Sequence, residues 1–313
     1  MTRVGSLFTG YGGLDLAVGG DLAWYSEIEP AACQVLEHHF PGVPNLGDIT
    51  KIDWTQVEPV DVITGGYPCQ PFSHAGNRKG KKDDRHLWPY VREAIRTIRP
   101  DYAVLENVRG HVTLGLKEVL GEIADIGFNA EWSTFRASEI GAPHRRERIF
   151  IVASNPDGAG WSERGRSIAV PKKHSSAERA GDVATDTDGD GYGQQLLPAG
   201  MVGLESEAAS EAQKRERTRE VIDAGSVSNP FGEYTDAIVR WEQLTRPAPD
   251  ATVLVNDKRR LNPVFVEWMM GLPEGWVTGH GLSAAKTLKM LGNGVCPQQA
   301  RAAINGLILR SAP

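Results

Sequence analysis

Short apolar runs alternate with amphipathic stretches from residue 1 to about residue 154, and this alternation constrains the fold more than any other feature of the sequence. The apolar runs have the length of buried strands, and the stretches between them have the pattern of helices. Such an alternation is typical of an α/β domain. The predicted strands are residues 4–9, 22–27, 61–65, 102–107 and 149–153, and the predicted helices are residues 30–39, 88–99 and 114–126.

Composition excludes several classes of protein. A chain of 313 residues with 40% hydrophobic and 24% charged residues can bury a core without disulfides. Its three cysteines, Cys33, Cys69 and Cys296, lie far apart, so neither a disulfide scaffold nor a zinc finger is expected. Because we find no signal peptide and no long apolar run, we expect a cytoplasmic protein without a membrane partner. The net charge is −6, so contact with nucleic acid would need local basic patches.

The composition changes after residue 154. Residues 155 to about 227 are rich in Gly, Ser, Ala and charged residues, and the sequence becomes apolar and helical again from residue 261. We therefore predict one domain formed by residues 1–154 and 261–313, and a smaller variable domain formed by residues 155–260. Residues 186–191 resemble the opening of a calcium-binding loop, but Leu197 stands where that loop needs a glutamate, so no metal is predicted.

A glycine-rich turn, Phe8-Thr9-Gly10-Tyr11-Gly12-Gly13, follows the first predicted strand. Glycines there let the backbone turn sharply and approach a ligand closely. Glu27, at the end of the next strand, is a natural acceptor for ribose hydroxyls, and Asp48 followed by Ile49 suits an exocyclic amine and a flat ring. In strand order, the three features indicate a cofactor of the nucleoside type.

A cysteine follows the third predicted strand, in the segment Gly65-Gly66-Tyr67-Pro68-Cys69-Gln70-Pro71-Phe72-Ser73. Open α/β folds place their chemistry at the carboxyl ends of strands. A lone cysteine is usually buried and inert. The neighbouring glycines and prolines favour a positioned nucleophile at Cys69 instead.

These motifs resemble those of the DNA (cytosine-5)-methyltransferase family, in the family's order and at both ends of the chain. The segments Glu106-Asn107-Val108, residues 143–148 and Gly292-Asn293-Gly294-Val295 resemble its glutamate motif, arginine motif and last motif. The resemblance implies a Rossmann-like, S-adenosylmethionine-dependent methyltransferase fold with a mostly parallel sheet and a smaller variable domain. It implies that the cofactor is bound by Phe8, Gly10, Tyr11, Gly13, Glu27, Ile28, Asp48, Ile49, Pro68, Leu87, Asn293 and Val295. It implies catalysis by Cys69, Glu106, Arg146 and Arg148.

The implied chemistry suits these residue types. A thiolate of Cys69 adds to carbon 6 of cytosine, and carbon 5 then attacks the methyl group. Glu106, in a pocket that raises its pKa, would hold the proton for ring nitrogen 3. Arg146 and Arg148 alternate along a segment predicted to be extended, so we expect them to face the same side. We assign Arg148 to the carbonyl oxygen of the base and Arg146 to a nearby phosphate or sugar. Because carbon 6 is unreachable in a duplex, the base must be flipped out.

Basic clusters supply the charge for a nucleic-acid partner. Residues 74–86 have a local excess of three positive charges, and Lys214-Arg215-Glu216-Arg217 and Lys258-Arg259-Arg260 are further clusters that fit a solvated face equally well. In this family the interval 155–260 normally holds a target-recognition domain, here poor in core residues. His144 stands where the family commonly has glutamine.

Duplex DNA methylation by a monomer is the leading interpretation, with or without a restriction endonuclease as its counterpart. The same chemistry on RNA is one alternative. A non-catalytic DNA-binding regulator is another, and the presence of Cys69, Glu106 and Arg148 argues against it.

Overall fold

The structure, a computed structural model, describes residues 2–68, 87–158 and 231–311. Its eight strands are β1 (Arg3–Leu7), β2 (Asp21–Ser26), β3 (Val62–Gly65), β4 (Tyr102–Val108), β5 (Asn129–Phe135), β6 (Arg148–Ser154), β7 (Thr252–Val255) and β8 (Lys258–Leu261). Its eight α-helices are α1 (Gly13–Val18), α2 (Pro30–His39), α3 (Trp88–Ile98), α4 (Leu116–Asp125), α5 (Thr235–Leu244), α6 (Pro263–Met269), α7 (Ala284–Asn293) and α8 (Pro297–Ser311). Both counts refer to the described residues only.

Six strands form one sheet in the order β2-β1-β3-β4-β6-β5. The pairs β1–β2, β1–β3 and β3–β4 are parallel, whereas β6 runs antiparallel to both of its neighbours. The chain goes from β1 outward to β2 and then crosses to β3 on the other side of β1. The carboxyl ends of β1 and β3 therefore flank a topological switch point, where open α/β sheets bind ligands. The predicted α/β fold with a mostly parallel sheet is confirmed.

Apolar layers cover both faces of this sheet. One layer joins Ile63, Leu105 and Ile151 to residues of α3 and α4, and the other joins Val62 and Val104 to residues of α1 and α8. Strands buried on both faces read as continuous apolar runs. For that reason the central strands were predictable from sequence.

Three strands were not predicted. The first, β5, lies at the edge of the sheet and carries Glu131 and Trp132 as exposed residues, so its sequence lacks a clear apolar period. The other two, β7 and β8, form a separate antiparallel pair in which every residue is exposed. A strand without a buried face gives no hydrophobic pattern to detect.

Residues 2–68, 87–158 and 237–311 belong to one compact unit, and the described residues 231–236 are assigned outside it. This unit includes most of α5, where the buried Trp241 donates its indole N–H to the carbonyl oxygen of Trp268 at 3.0 Å. The predicted variable domain of residues 155–260 stays a prediction. Among the described helices, none combines the length and hydropathy needed to cross a membrane.

Candidate active site at the carboxyl edge of the sheet

A cavity of about 390 Å³ lies at the carboxyl ends of β1, β3 and β4, next to the switch point. This volume is in the range of small-molecule sites. Helix α7 and the residues that follow it, which come late in the sequence, complete the lining of the cavity. The lining residues are Ser6, Leu7, Phe8, Thr9, Gly10, Gly13, Leu14, Asp15, Glu27, Glu29, Ala31, Ala32, Thr64, Gly65, Gly66, Glu106, Lys286, Lys289, Met290, Asn293, Gly294 and Val295.

Half of the predicted cofactor residues line this cavity. They are Phe8, Gly10, Gly13, Glu27, Asn293 and Val295. The other six, Tyr11, Ile28, Asp48, Ile49, Pro68 and Leu87, are not among the lining residues. Ile49 is buried in the core, Ile28 is 69% exposed, and Leu87 packs against the core at the start of α3. The Asp48 carboxylate accepts hydrogen bonds from the backbone and hydroxyl of Thr50, which holds the pKa of Asp48 below its usual value.

The carboxylate of Glu27 is held by three backbone amides. Its Oε2 accepts from Gly10 at 2.8 Å, and its Oε1 accepts from Ile28 and Glu29, each at 2.8 Å. Gly10 has a φ of 58°, and a Cβ built on it would meet nothing within 4 Å. The glycine turn thus presents bare backbone and a fixed carboxylate to open space, an arrangement that fits ribose hydroxyls.

The last motif packs directly on the glycine turn. Tyr11 is buried, and its hydroxyl donates to the carbonyl oxygen of Val295 at 2.7 Å. A Cβ on Gly294 would overlap the Tyr11 ring, and one on Gly13 would overlap the carbonyl of Val295. The indole of Trp276 adds a hydrogen bond to the carbonyl oxygen of Tyr11 at 2.8 Å. Segments 284 positions apart in the sequence therefore pack together at one wall of the cavity.

Glu106 and Arg148 form a shielded ion pair beside the cavity. Both lie on the paired strands β4 and β6, and the Nε of Arg148 is 3.0 Å from Oε1 of Glu106. Burial raises the pKa of Glu106, while the charges of Arg148 and Arg146 oppose that rise. The direction agrees with the expectation from sequence and favours a carboxyl that can carry a proton.

Arg146 departs from the expected geometry. Its φ of 35° is left-handed, so it does not continue the extended strand that begins at Arg148, and the prediction of an alternating pair in an extended segment is wrong. Its guanidinium donates to the carbonyl oxygens of Gly292 and Gly294. Arg146 thus ties the arginine motif to the wall of the cavity.

Cys69 lies outside the described residues, but the residues before it are well anchored. The hydroxyl of Tyr67 lies 2.8 Å from Nε2 of His111, and both side chains are buried. The side-chain amide of Asn107, next to Glu106, donates to the carbonyl oxygen of Tyr67 at 3.0 Å. Pro68 then leads directly into the predicted nucleophile segment.

The two described cysteines have different surroundings. Cys296 is fully buried, and burial raises the pKa of its thiol to about 11, which keeps it protonated near neutral pH. Cys33 on α2 is half-buried, and its pKa is also raised by burial. No group of three or more potential metal ligands occurs among the described residues.

Sequence reasoning missed the polar floor of the cavity. Asp15 is buried in α1 and accepts hydrogen bonds from the hydroxyls of Ser6 on β1 and Thr64 on β3. The one available signal was an acidic residue inside the apolar run Leu14-Asp15-Leu16-Ala17-Val18.

A family model described as C-5 cytosine-specific DNA methylase matches residues 2–308. Among curated proteins, Type II methyltransferase M.NgoBV of Neisseria gonorrhoeae is 34% identical over 150 residues, 44% of this chain and 36% of the relative. Orphan methyltransferase M.SPRI of Bacillus phage SPR is 33% identical over 170 residues, 50% of this chain and 38% of the relative. The matched part of the chain thus spans little more than a third of the length of these relatives.

Solved structures show the same fold. The Dnmt2 methyltransferase of S. pombe has a TM-score of 0.59 at 16% identity, over 99% of both chains. A putative DNA modification methyltransferase encoded within an E. coli prophage has a TM-score of 0.58 at 19% identity, over 99% of this chain and all of that one.

Proposed function

The chain belongs to the C-5 cytosine-specific DNA methylase family, and from that premise we propose that it methylates carbon 5 of cytosine in duplex DNA. One observation carries the proposal. A single cavity at the switch point of the sheet is lined both by the glycine turn with Glu27 and by Glu106, which is paired to Arg148. The proposed cofactor site therefore lies next to Glu106, the proposed acid that protonates the cytosine base.

The residues present fit S-adenosylmethionine, which supplies an electrophilic methyl group on its sulfonium. Glu27, fixed by three amides, would accept from the ribose hydroxyls, and the bare backbone at Gly10 leaves space for the ligand. Asn293 and Val295 would close over it from the carboxyl side of the chain. The cofactor-binding roles of all twelve residues stay predictions, and six of these residues do not line the cavity: Tyr11, Ile28, Asp48, Ile49, Pro68 and Leu87.

Cys69 and Glu106 would carry the chemistry on the base. The Cys69 thiolate forms a bond to carbon 6, and Glu106 delivers a proton to ring nitrogen 3, so that carbon 5 gains the electron density to attack the methyl group. After transfer, a water molecule accepts the carbon 5 proton, the carbon 5–carbon 6 double bond re-forms as the Cys69 thiolate leaves, and Glu106 takes back the proton of ring nitrogen 3. Arg148 would orient Glu106 through its Nε contact and bind the carbonyl oxygen of the base.

Duplex DNA is the proposed substrate, and the described basic surface that supports it is the β7–β8 hairpin. Lys258, Arg259 and Arg260 occupy consecutive exposed positions on β8. A two-stranded ribbon of this kind has the dimensions to enter the major groove. Apart from Leu261, the hairpin belongs to the proposed variable region of residues 155–260. The basic residues 78–85 and 214–217 lie outside the described part of the chain.

A covalent trap tests this function. With S-adenosylmethionine and a duplex carrying 5-fluorocytosine, the protein should form a band that survives a denaturing gel, because fluorine cannot leave as a cation. Cys69→Ser should lose the band and turnover, since a serine hydroxyl is far less ionised than a thiol. Cys33→Ser, on α2, is the matched control and should keep both.

Three outcomes are decisive. Loss of the band only in Cys69→Ser supports the mechanism. A band that persists in Cys69→Ser identifies another nucleophile and refutes it. Trapping of fluorinated RNA but not of the DNA duplex would show that RNA is the substrate of the same reaction.

A further inference from the structure

Asp15 is a buried carboxylate that the chemistry above does not use, and it lies on the floor of the cavity. Its Oδ2 accepts from Ser6 at 2.9 Å, and its Oδ1 accepts from Thr64 at 2.5 Å. Ser6 and Thr64 are directly paired residues of β1 and β3, so the carboxylate is centred over the switch point. Two central strands thus hold one acidic group in a fixed place.

What distinguishes Asp15 from the other buried acids is its lack of a cation. Glu106 has Arg148 at 3.0 Å. Glu267 has four hydrogen-bond donors from residues 275–278 and Arg246 at 4.0 Å. Within residues 2–68, 87–158 and 231–311, by contrast, Asp15 forms no ion pair, and its donors are the hydroxyls of Ser6 and Thr64 and its own backbone N–H. A buried carboxylate without a counter-charge is costly unless something compensates it.

The cavity as a whole favours a positively charged ligand. Its lining contains four acids, Asp15, Glu27, Glu29 and Glu106, against two lysines, Lys286 and Lys289. Lys289 already pairs with Glu29 at 3.6 Å. Glu27 and Glu106 have their partners as well, which leaves Asp15 as the acid whose charge is unanswered inside the cavity.

We propose that Asp15 binds a positively charged group of the cofactor, with Ser6 and Thr64 as positioning residues that fix its carboxylate. The inference rests on the proposed function only in naming S-adenosylmethionine, which carries two such groups, an ammonium and a sulfonium. Burial raises the pKa of Asp15, and the hydroxyls of Thr64 and Ser6 oppose the rise, so a bound cation would complete the stabilisation of the ionised form.

Calorimetry with three compounds tests the proposal in the full chain. S-adenosylmethionine has both cations, S-adenosylhomocysteine has only the ammonium, and 5′-methylthioadenosine has neither. Asp15→Asn, which keeps the shape of the side chain, should weaken binding of S-adenosylmethionine by about ten- to a hundredfold, the usual effect of a hydrogen bond to a charged group. Asp53→Asn is the matched control, since Asp53 also accepts from a backbone N–H and a threonine hydroxyl but lies outside the cavity.

The pattern across the three compounds identifies the cation. An equal loss for the first two compounds, with none for 5′-methylthioadenosine, assigns Asp15 to the ammonium; a loss for S-adenosylmethionine alone assigns it to the sulfonium. Equal loss for all three, or for none, overturns the proposal while the proposed function stands. If the wild-type protein binds none of them, the proposed function falls and this inference falls with it. Thr64→Val should give the same pattern with a smaller loss, and it replaces Asp15→Asn should that variant fail to fold.

Discussion

The cavity edge and the β7–β8 hairpin are built on opposite principles. At the cavity edge, residues from both ends of the chain pack together, since Tyr11 contacts Gly294 and Val295. The guanidinium of Arg146 also donates to the carbonyl oxygen of Gly294. In the hairpin, all eight strand residues are exposed, and Asn256 and Asp257 make the turn with positive φ values. Packing fixes the first region, whereas local turn geometry and one backbone ladder fix the second.

This difference sets how each region responds to change. A close-packed wall transmits any added volume to its neighbours, because interiors have few voids. An exposed ribbon has no buried neighbour to disturb, so its substitutions act on what it binds. Asn262 closes the base of the hairpin by donating to the carbonyl oxygen of Asp250 at 2.7 Å, and beyond that point the ribbon depends on itself.

The largest effect is expected at Gly294. In Gly294→Ala the new methyl group overlaps the Tyr11 ring, so the last motif or the ring must move, at a cost of about 3 kcal/mol in the free energy of unfolding. Gly292→Ala is the matched control two residues earlier, in α7, where a Cβ meets nothing within 4 Å. Urea denaturation of both variants measures the difference. Equal stabilities for the two variants would show that the wall is not close-packed.

Sequence reasoning succeeded where burial leaves a pattern. The predicted strands 61–65 and 102–107 match β3 and β4 to within a residue, because apolar residues fill both faces of the central sheet. The glycine turn and Glu27 were predicted from their positions at strand ends, whereas Glu106 was predicted from the family resemblance; all three line the cavity. The central strands, the glycine turn and Glu27 therefore follow from local rules.

The rest depends on tertiary contacts that no local pattern encodes. The left-handed backbone of Arg146 and its bonds to Gly292 and Gly294 arise from the packing of distant segments. The polar floor arises because Ser6 and Thr64 are register partners under α1. The roles proposed for Cys69 and for the other predicted site residues remain predictions.

A smaller effect is expected from the buried carboxyl group of Asp15, which lies in the cavity and has no counterpart among the exposed strand residues of the hairpin. Because the pKa of Asp15 is raised on folding, the folded protein keeps this proton at pH values where the unfolded chain has released it. The contribution of Asp15 to stability therefore falls as the pH rises above the usual aspartate value of about 3.9. Asp15→Asn lacks this loss, so its free energy of unfolding relative to wild type should rise through that window. Denaturation at several pH values checks this, and a constant difference would contradict it.

The smallest effect on stability is expected at Arg259. Its substitution should instead change the binding of nucleic acid. Arg259 lies opposite Leu254, which is 73% exposed, so Arg259→Gln should change the free energy of unfolding by less than about 0.5 kcal/mol. If the hairpin contacts a phosphate through this side chain, the slope of log affinity for duplex DNA against log salt should become shallower by about 0.9, because one fewer counterion is released. Fluorescence anisotropy over a salt series gives the slope, and the exposed Lys117→Gln on α4 is the matched control for loss of one positive charge. An unchanged slope in Arg259→Gln, or an equal change in Lys117→Gln, would mean that the ribbon is not the surface that meets the DNA backbone.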